Sequence, residues 1–249
     1  MTSDRGGSGS IGGSPGIPGP VHPVQSLNRG PSRRAAAVAA AGVLVAALIV
    51  TAVIATSGSA ATVHPGARVV AIGDSIMDGH GLEPSQSWPA IVAKSEKWSL
   101  SNLATDGAGF VTLGNFQRRF RAQVRAAVKL KPSIVLISSS SNDLGDDDLQ
   151  IAADTRKDFD RLRKALPHAT ILAFSAFWGD TAVPAQLTQI DADVKSAALA
   201  VGGTWIDIGQ PLAGRRDLMQ GDDVHPTAGG QSILASVIRP KVVATLRAH

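Results

Sequence analysis

A chain of 249 residues with a formal charge of +4 and no cysteine is long enough for one sizeable α/β domain plus an appendage, and it excludes thiolate chemistry. Arg5, Arg29, Arg33 and Arg34 against Asp4 place +3 of that charge in the first 34 residues and leave +1 for the rest. The folded part therefore has no nucleic-acid footprint, despite a sequence pI near 9.8.

Residues 1–34 read as a disordered tail: Gly, Ser and Pro fill 19 of the 34 positions, leaving too little apolar surface to offset the entropy of ordering. Residues 35–56, "AAAVAAAGVLVAALIVTAVIAT", follow without a charge. As a helix this run spans about 33 Å, close to the roughly 30 Å hydrocarbon core of a bilayer, so it is expected to be a transmembrane signal anchor. Arg29, Arg33 and Arg34 just before it favour a cytoplasmic N-terminus and an extracytoplasmic remainder. The rival reading is a cleaved signal peptide, with the small residues of "SGSAAT" at the cut; it exports the domain equally. Residues 57–66 form a linker and residues 67–249 the domain.

Within the domain, "RVVAIGD", "SLSNLA", "SIVLISS", "TILAFSA" and "TWIDIG" are five strand-like runs, apolar or β-branched as parallel strands covered on both faces require. Between them lie helical patterns: Phe120, Val124 and Val128; Phe159, Leu162 and Leu166, stopped by Pro167; residues 185–200; and a last one opening at Pro226 that Pro240 is expected to break or kink. Strand and helix alternate, which predicts a three-layer α/β/α domain with a five-stranded parallel sheet. In one common order strand 1 lies between strands 2 and 3, so the loops at residues 73–79, 105–109 and 138–145 should converge beyond the strands' carboxyl ends.

The first loop, in "AIGDSIMDGHG", carries Ser75, either a capping residue or a nucleophile. A serine hydroxyl needs a base, and the base needs an orienting group. His22, His64, His168 and His249 lie in the tail, the linker, a turn and at the last residue. His80 is close in sequence but has only Asp78 as an obvious orienter. His225, in "GDDVHPTAGG", has Asp222 three residues before it, so one turn can bring that carboxylate to Nδ1 and leave Nε2 outward. Its loop must cover three strand spacings, on the order of 14 Å, which the stretch from Ile208 to His225 can span.

Four segments in this order resemble the SGNH or GDSL hydrolase family of esterases and lipases: "GDS" with Ser75, the glycine block with Gly107, the asparagine block with Asn142, and "DDVH" with Asp222 and His225. The resemblance covers roughly residues 69–230. It implies a flavodoxin-like layering, a Ser75 nucleophile, His225 as base and then acid, and Asp222 as its orienter. It also implies an oxyanion hole of the Ser75 and Gly107 backbone N–H groups and the Asn142 side chain. The third block of the family usually reads Gly-x-Asn-Asp, and here Ser140 takes the glycine position, which puts the aim of Asn142 in question. Asp74 and Asp143 are expected to be architectural. Asp146, Asp147 and Asp148 read as a solvated helix start rather than a calcium site, and Trp88 as packing for the first helix.

No His-Glu-x-x-His, phosphate loop or dinucleotide spacing is present, so neither cofactor nor metal is expected. The expectation is a membrane-anchored, extracytoplasmic serine esterase acting on short-acyl glycan or lipid esters. The alternatives are an acyltransferase using the same residues, or a catalytically silent glycan-binding module.

Overall fold

The computed structural model describes residues 64–179 and 181–248. The tail and span expected at residues 1–34 and 35–56, and the linker up to residue 63, lie outside them. Among the described residues no helix is long and apolar enough to cross a membrane.

Five short apolar runs form a parallel sheet: β1 (Arg68–Ile72), β2 (Ser99–Asn102), β3 (Ile134–Ser138), β4 (Thr170–Phe174) and β5 (Thr204–Ile206), in the order β2-β1-β3-β4-β5. Successive side chains of a strand point to opposite faces, and here both faces are dry. Leu136, Leu172 and Phe174 enter one core, while Val135, Ile137, Ile171 and Ala173 enter the other.

Among the described residues six helices supply the outer layers. A single turn, α1 (Ser75–Asp78), follows β1 directly. The first core is closed by α2 (Trp88–Glu96), through Trp88 and Val92, and by α6 (Ala228–Arg247), through Leu234, Ile238, Val242 and Leu246. The second is closed by α3 (Phe120–Leu130), α4 (Asp148–Ala165) and α5 (Ala185–Ala200), whose Phe120, Val124, Phe159, Leu162, Ile190 and Val194 recur at helical spacing. Trp88 is buried edge-on against Phe174, with ring centroids 5.4 Å apart.

Pro226 departs from its expected place at the start of the last helix, and Pro240 does not break that helix. Pro226 lies outside α6, bridged to Met219, because Thr227 takes the N-cap and its hydroxyl accepts from the Gly230 N–H at 3.2 Å. The helix then runs on through Pro240 to Arg247. An internal proline costs about 3 kcal/mol, and burial of Ile238, Val242, Val243 and Leu246 around it offsets that at about 1.5–3 kcal/mol per side chain.

Candidate active site

The end of β1 is shaped to present Ser75. Gly73 has no room for a side chain, since a Cβ there would lie 2.8 Å from the Met77 Cβ. Gln123, reaching from α3, clamps it by taking the Gly73 N–H at 2.9 Å and giving its own amide to the Gly73 carbonyl at 2.8 Å. Asp74 caps the following turn, accepting from the Ile76 N–H at 3.0 Å. Ser75 is thus the first residue of α1, where a backbone N–H has no intrahelical acceptor.

The opposite wall comes from the loop after β5. Asp222 Oδ1 accepts from the Val224 and His225 N–H groups, each at 3.0 Å, which folds a tight turn around the carboxylate. That turn puts Asp222 Oδ2 2.6 Å from His225 Nδ1, and His225 Nε2 2.9 Å from Ser75 Oγ. The His225 hydrogen bond holds the Asp222 carboxyl well below the usual carboxylate range, so Asp222 is ionised and accepts a hydrogen bond from the Nδ1–H. Nε2 is then a lone pair facing the Ser75 O–H. Gln220 secures the loop from behind, donating its backbone N–H to the His225 carbonyl at 2.7 Å and its side-chain amide to the Pro226 carbonyl at 3.0 Å.

A cleft of about 490 Å³ opens over these groups and is lined by Ser75, Gly107, Asn142 and His225 among others. All five residues singled out in the sequence are therefore at or beside one cleft, with Asp222 behind His225. Gly107 adopts a left-handed φ of 72°, the conformation glycine tolerates without strain. Asp143 fixes this loop as expected: its buried carboxylate accepts from the Phe110, Val111 and Thr112 N–H groups at 2.8, 3.0 and 3.0 Å. Asp146 is less solvated than expected, because Thr112 donates its hydroxyl to it at 2.6 Å.

Asn142 shows what Ser140 does. Ser140 is fully buried, and its Oγ lies 2.7 Å from Asp74 Oδ2 and 3.0 Å from the Ala108 carbonyl. The same oxygen accepts from the Asn142 backbone N–H at 3.1 Å and its Nδ2 at 3.2 Å. Nδ2 also donates to the Ala108 carbonyl at 3.1 Å. The amide sits at the cleft with both hydrogens engaged, and it serves a substrate oxygen only by exchanging one of these partners.

The sequence missed one group here. His80 Nδ1 lies 2.5 Å from Asp106 Oδ2, while Asp78 acts on the ring through its charge, and the His80 ring stacks on His225 with centroids 4.1 Å apart. Asp106 and Gly107 adjoin on the loop after β2, so sheet order alone could have paired that loop with His80. Among the described residues His80, Asp222 and His225 come close enough to bracket an ion. Hydrogen bonds already occupy Asp222 and both His225 nitrogens, so His80 Nε2 is the one nitrogen of the group left open to an ion.

A model of the GDSL-like Lipase/Acylhydrolase family matches residues 71–233. The chain belongs to that family. Among its relatives is GDSL lipase Rv0518 of Mycobacterium tuberculosis (strain ATCC 25618 / H37Rv), 29% identical over 189 residues, covering 70% of this chain and 80% of the relative. Solved structures that share the fold include an esterase and an acyltransferase. The psychrotrophic esterase EstA from Pseudoalteromonas sp., inhibited by monoethylphosphonate, matches at TM-score 0.60 and 17% identity over 72% of this chain and 98% of its own. The salicylyl-acyltransferase SsfX3 matches at TM-score 0.60 and 20% identity over 72% and 55%. As a GDSL-like hydrolase the protein is a carboxylic ester hydrolase, built on the three-layer α/β/α fold with a five-stranded parallel sheet.

Proposed function

We propose that the protein is an extracytoplasmic serine esterase that cleaves short-acyl glycan or lipid esters through an acyl-enzyme on Ser75. The observation that carries this reading is the line Asp222 Oδ2, His225 Nδ1, His225 Nε2, Ser75 Oγ, with contacts of 2.6 and 2.9 Å. Both lie within the reach a general base and its orienter require. His225 takes the Ser75 proton as Oγ attacks the ester carbonyl, and Asp222 stabilises the imidazolium. The tetrahedral oxygen gathers the N–H groups of Ser75 and Gly107, neither of which has an acceptor among the described residues, and an Asn142 N–H released from Ser140 or Ala108. Each such donor is worth about 3 kcal/mol to the transition state. His225 then returns the proton to the departing alcohol, and water, activated by the same imidazole, frees the acid.

A small cleft of about 210 Å³ adjoins the first, sharing Ile76, Ser141 and Val224 and walled by Phe177 and Trp178. Its size and aromatic wall support a short acyl chain. The arginines before the uncharged run at residues 35–56 support export and anchoring. Acyl transfer remains open to the same residues if an alcohol replaces water, as the name of SsfX3 indicates for that enzyme.

A fluorophosphonate probe should label the protein, and Ser75→Ala should abolish both the adduct and the hydrolysis of p-nitrophenyl esters, with turnover falling as the acyl chain lengthens. Absence of a Ser75-dependent adduct would favour a silent binding module. For the location, alkaline carbonate should leave the protein in the membrane pellet, and protease added to spheroplasts should reach its domain.

A further inference from the structure

Two histidine–aspartate pairs of the same polarity stand side by side at the cleft. In each an aspartate holds Nδ1, at 2.6 Å for His225 and 2.5 Å for His80. The two rings stack at an interplanar angle of 28°. The Nε2 of His225 meets the Ser75 hydroxyl. The Nε2 of His80 meets no hydrogen-bond partner among the described residues, although the ring lines the cleft and its side chain is 40% exposed.

His80 is held firmly at its backbone. Its N–H donates to the Ser75 carbonyl at 3.0 Å, and its carbonyl accepts from Gln220 Nε2 at 2.8 Å. Gly79 before it is left-handed, with a φ of 84°, and the Ser87 Cβ leaves no room for a side chain there. An imidazole so fixed, with its Nδ1–H donating to a carboxylate, presents a lone pair at Nε2. A lone pair at that point accepts from a hydroxyl and gains nothing from an alkyl group.

We propose that His80, oriented by Asp106, accepts a hydrogen bond from a free hydroxyl on the alcohol part of the ester, so that the enzyme selects esters of polyols over esters of simple alcohols. This rests on the serine-esterase reading above, because that reading fixes where the alcohol sits. To be protonated as it leaves, its oxygen must come within about 2.6–3.2 Å of His225 Nε2. The ring stacked directly alongside is then His80, and a hydroxyl on the carbon next to the ester is the substrate group nearest to it. A sugar or a glycerol carries such a hydroxyl; a simple alkanol does not. Asp106 and the adjacent Gly107 link this recognition to the loop that receives the carbonyl oxygen.

The test compares kcat/KM for glycerol monobutyrate and propyl butyrate, which share an acyl group and differ in the neighbouring hydroxyls. The untruncated wild-type protein should favour glycerol monobutyrate. In His80→Phe, which keeps a ring to stack on His225 but removes the acceptor, the ratio should fall about tenfold, the size of one lost hydrogen bond to a substrate hydroxyl. His80→Gln, whose amide oxygen can accept, should recover part of it, and Asp106→Asn should lower it without touching the ring. A wild-type enzyme with no preference would overturn the proposal. So would variants in which both esters slow equally, since that marks a packing role for the ring. Failure of the underlying reading looks different: the wild-type protein would then hydrolyse neither ester and take up no fluorophosphonate.

Discussion

Ser140 carries a larger structural role than its place in a serine run suggests. Its one hydroxyl joins the nucleophile turn through Asp74, the glycine loop through Ala108 and the asparagine loop through Asn142. Burial raises the Asp74 carboxyl to about 6, and the Ser140 hydrogen bond holds it from rising further. A carboxyl whose folded value is raised contributes stability that is complete below its unfolded value and lost as pH rises through about 6; the Ser140 bond offsets part of that loss. Ser140→Ala leaves a buried carboxylate short of a donor, so urea unfolding at pH 7.5 should show a loss of about 1–3 kcal/mol. The deficit should shrink at pH 5, where Asp74 is neutral. A deficit that does not depend on pH would mean the hydroxyl acts through packing alone.

Helix α4 shows which features of an element its sequence discloses. The spacing of Phe159 and Leu162 marks an amphipathic helix, yet the same buried face holds Asp154, Thr155 and Asp158, which a hydropathy pattern assigns to water. Asp154 is satisfied by Arg119, Arg121 and Lys157 from 3.0 to 3.3 Å. Asp158 is 1% exposed, its oxygens accept no hydrogen bond, and Arg121 Nε stands 3.8 Å away. Desolvation outweighs the Arg121 attraction and lifts its carboxyl to about 6. Charged Asp158 therefore weakens the fold at neutral pH, and Asp158→Asn should raise stability above pH 7 by on the order of 1–3 kcal/mol. Little difference should remain near pH 4 when the two proteins are compared by chemical denaturation. A variant less stable than wild type at pH 7 would show that the Arg121 pair wins. The limit of the sequence is the same elsewhere: periodicity locates an element, while side chains that reach across elements leave no local signal. Gln123 clamping Gly73, Gln231 taking the Trp88 N–H at 2.8 Å, and Asp106 orienting His80 all belong to that class. Which strand residues enter which core was equally hidden, since both faces are apolar and no polar alternation marks the register.

At the scale of the molecule, strand order does the assembling. With β1 between β2 and β3, the carboxyl ends of neighbouring strands deliver Ser75, Gly107 and Asn142 to one rim, as the sheet order inferred from sequence requires. The loop after β4 adds Phe177 and Trp178 beside them, and the long loop after β5 returns across the rim with Asp222 and His225. The Asp222 turn was legible because its three-residue spacing is local; the return of the loop to Ser75 followed from chain length and strand spacing. Every group named in the mechanism falls within Ala60–His249, which forms one compact unit. A fragment of residues 60–249 should therefore fold, unfold at the same urea midpoint as the longer chain, and hydrolyse a soluble short-chain ester with the same kcat/KM. Only the longer chain should sediment with lipid vesicles, because the uncharged run at residues 35–56 is the one feature of the sequence long enough to enter a bilayer. Loss of activity in a fragment that still folds would mean that residues before 60 complete the cleft, and cosedimentation of the fragment would move membrane attachment to the domain surface, where Leu113 and Val224 are exposed at the mouth of the site.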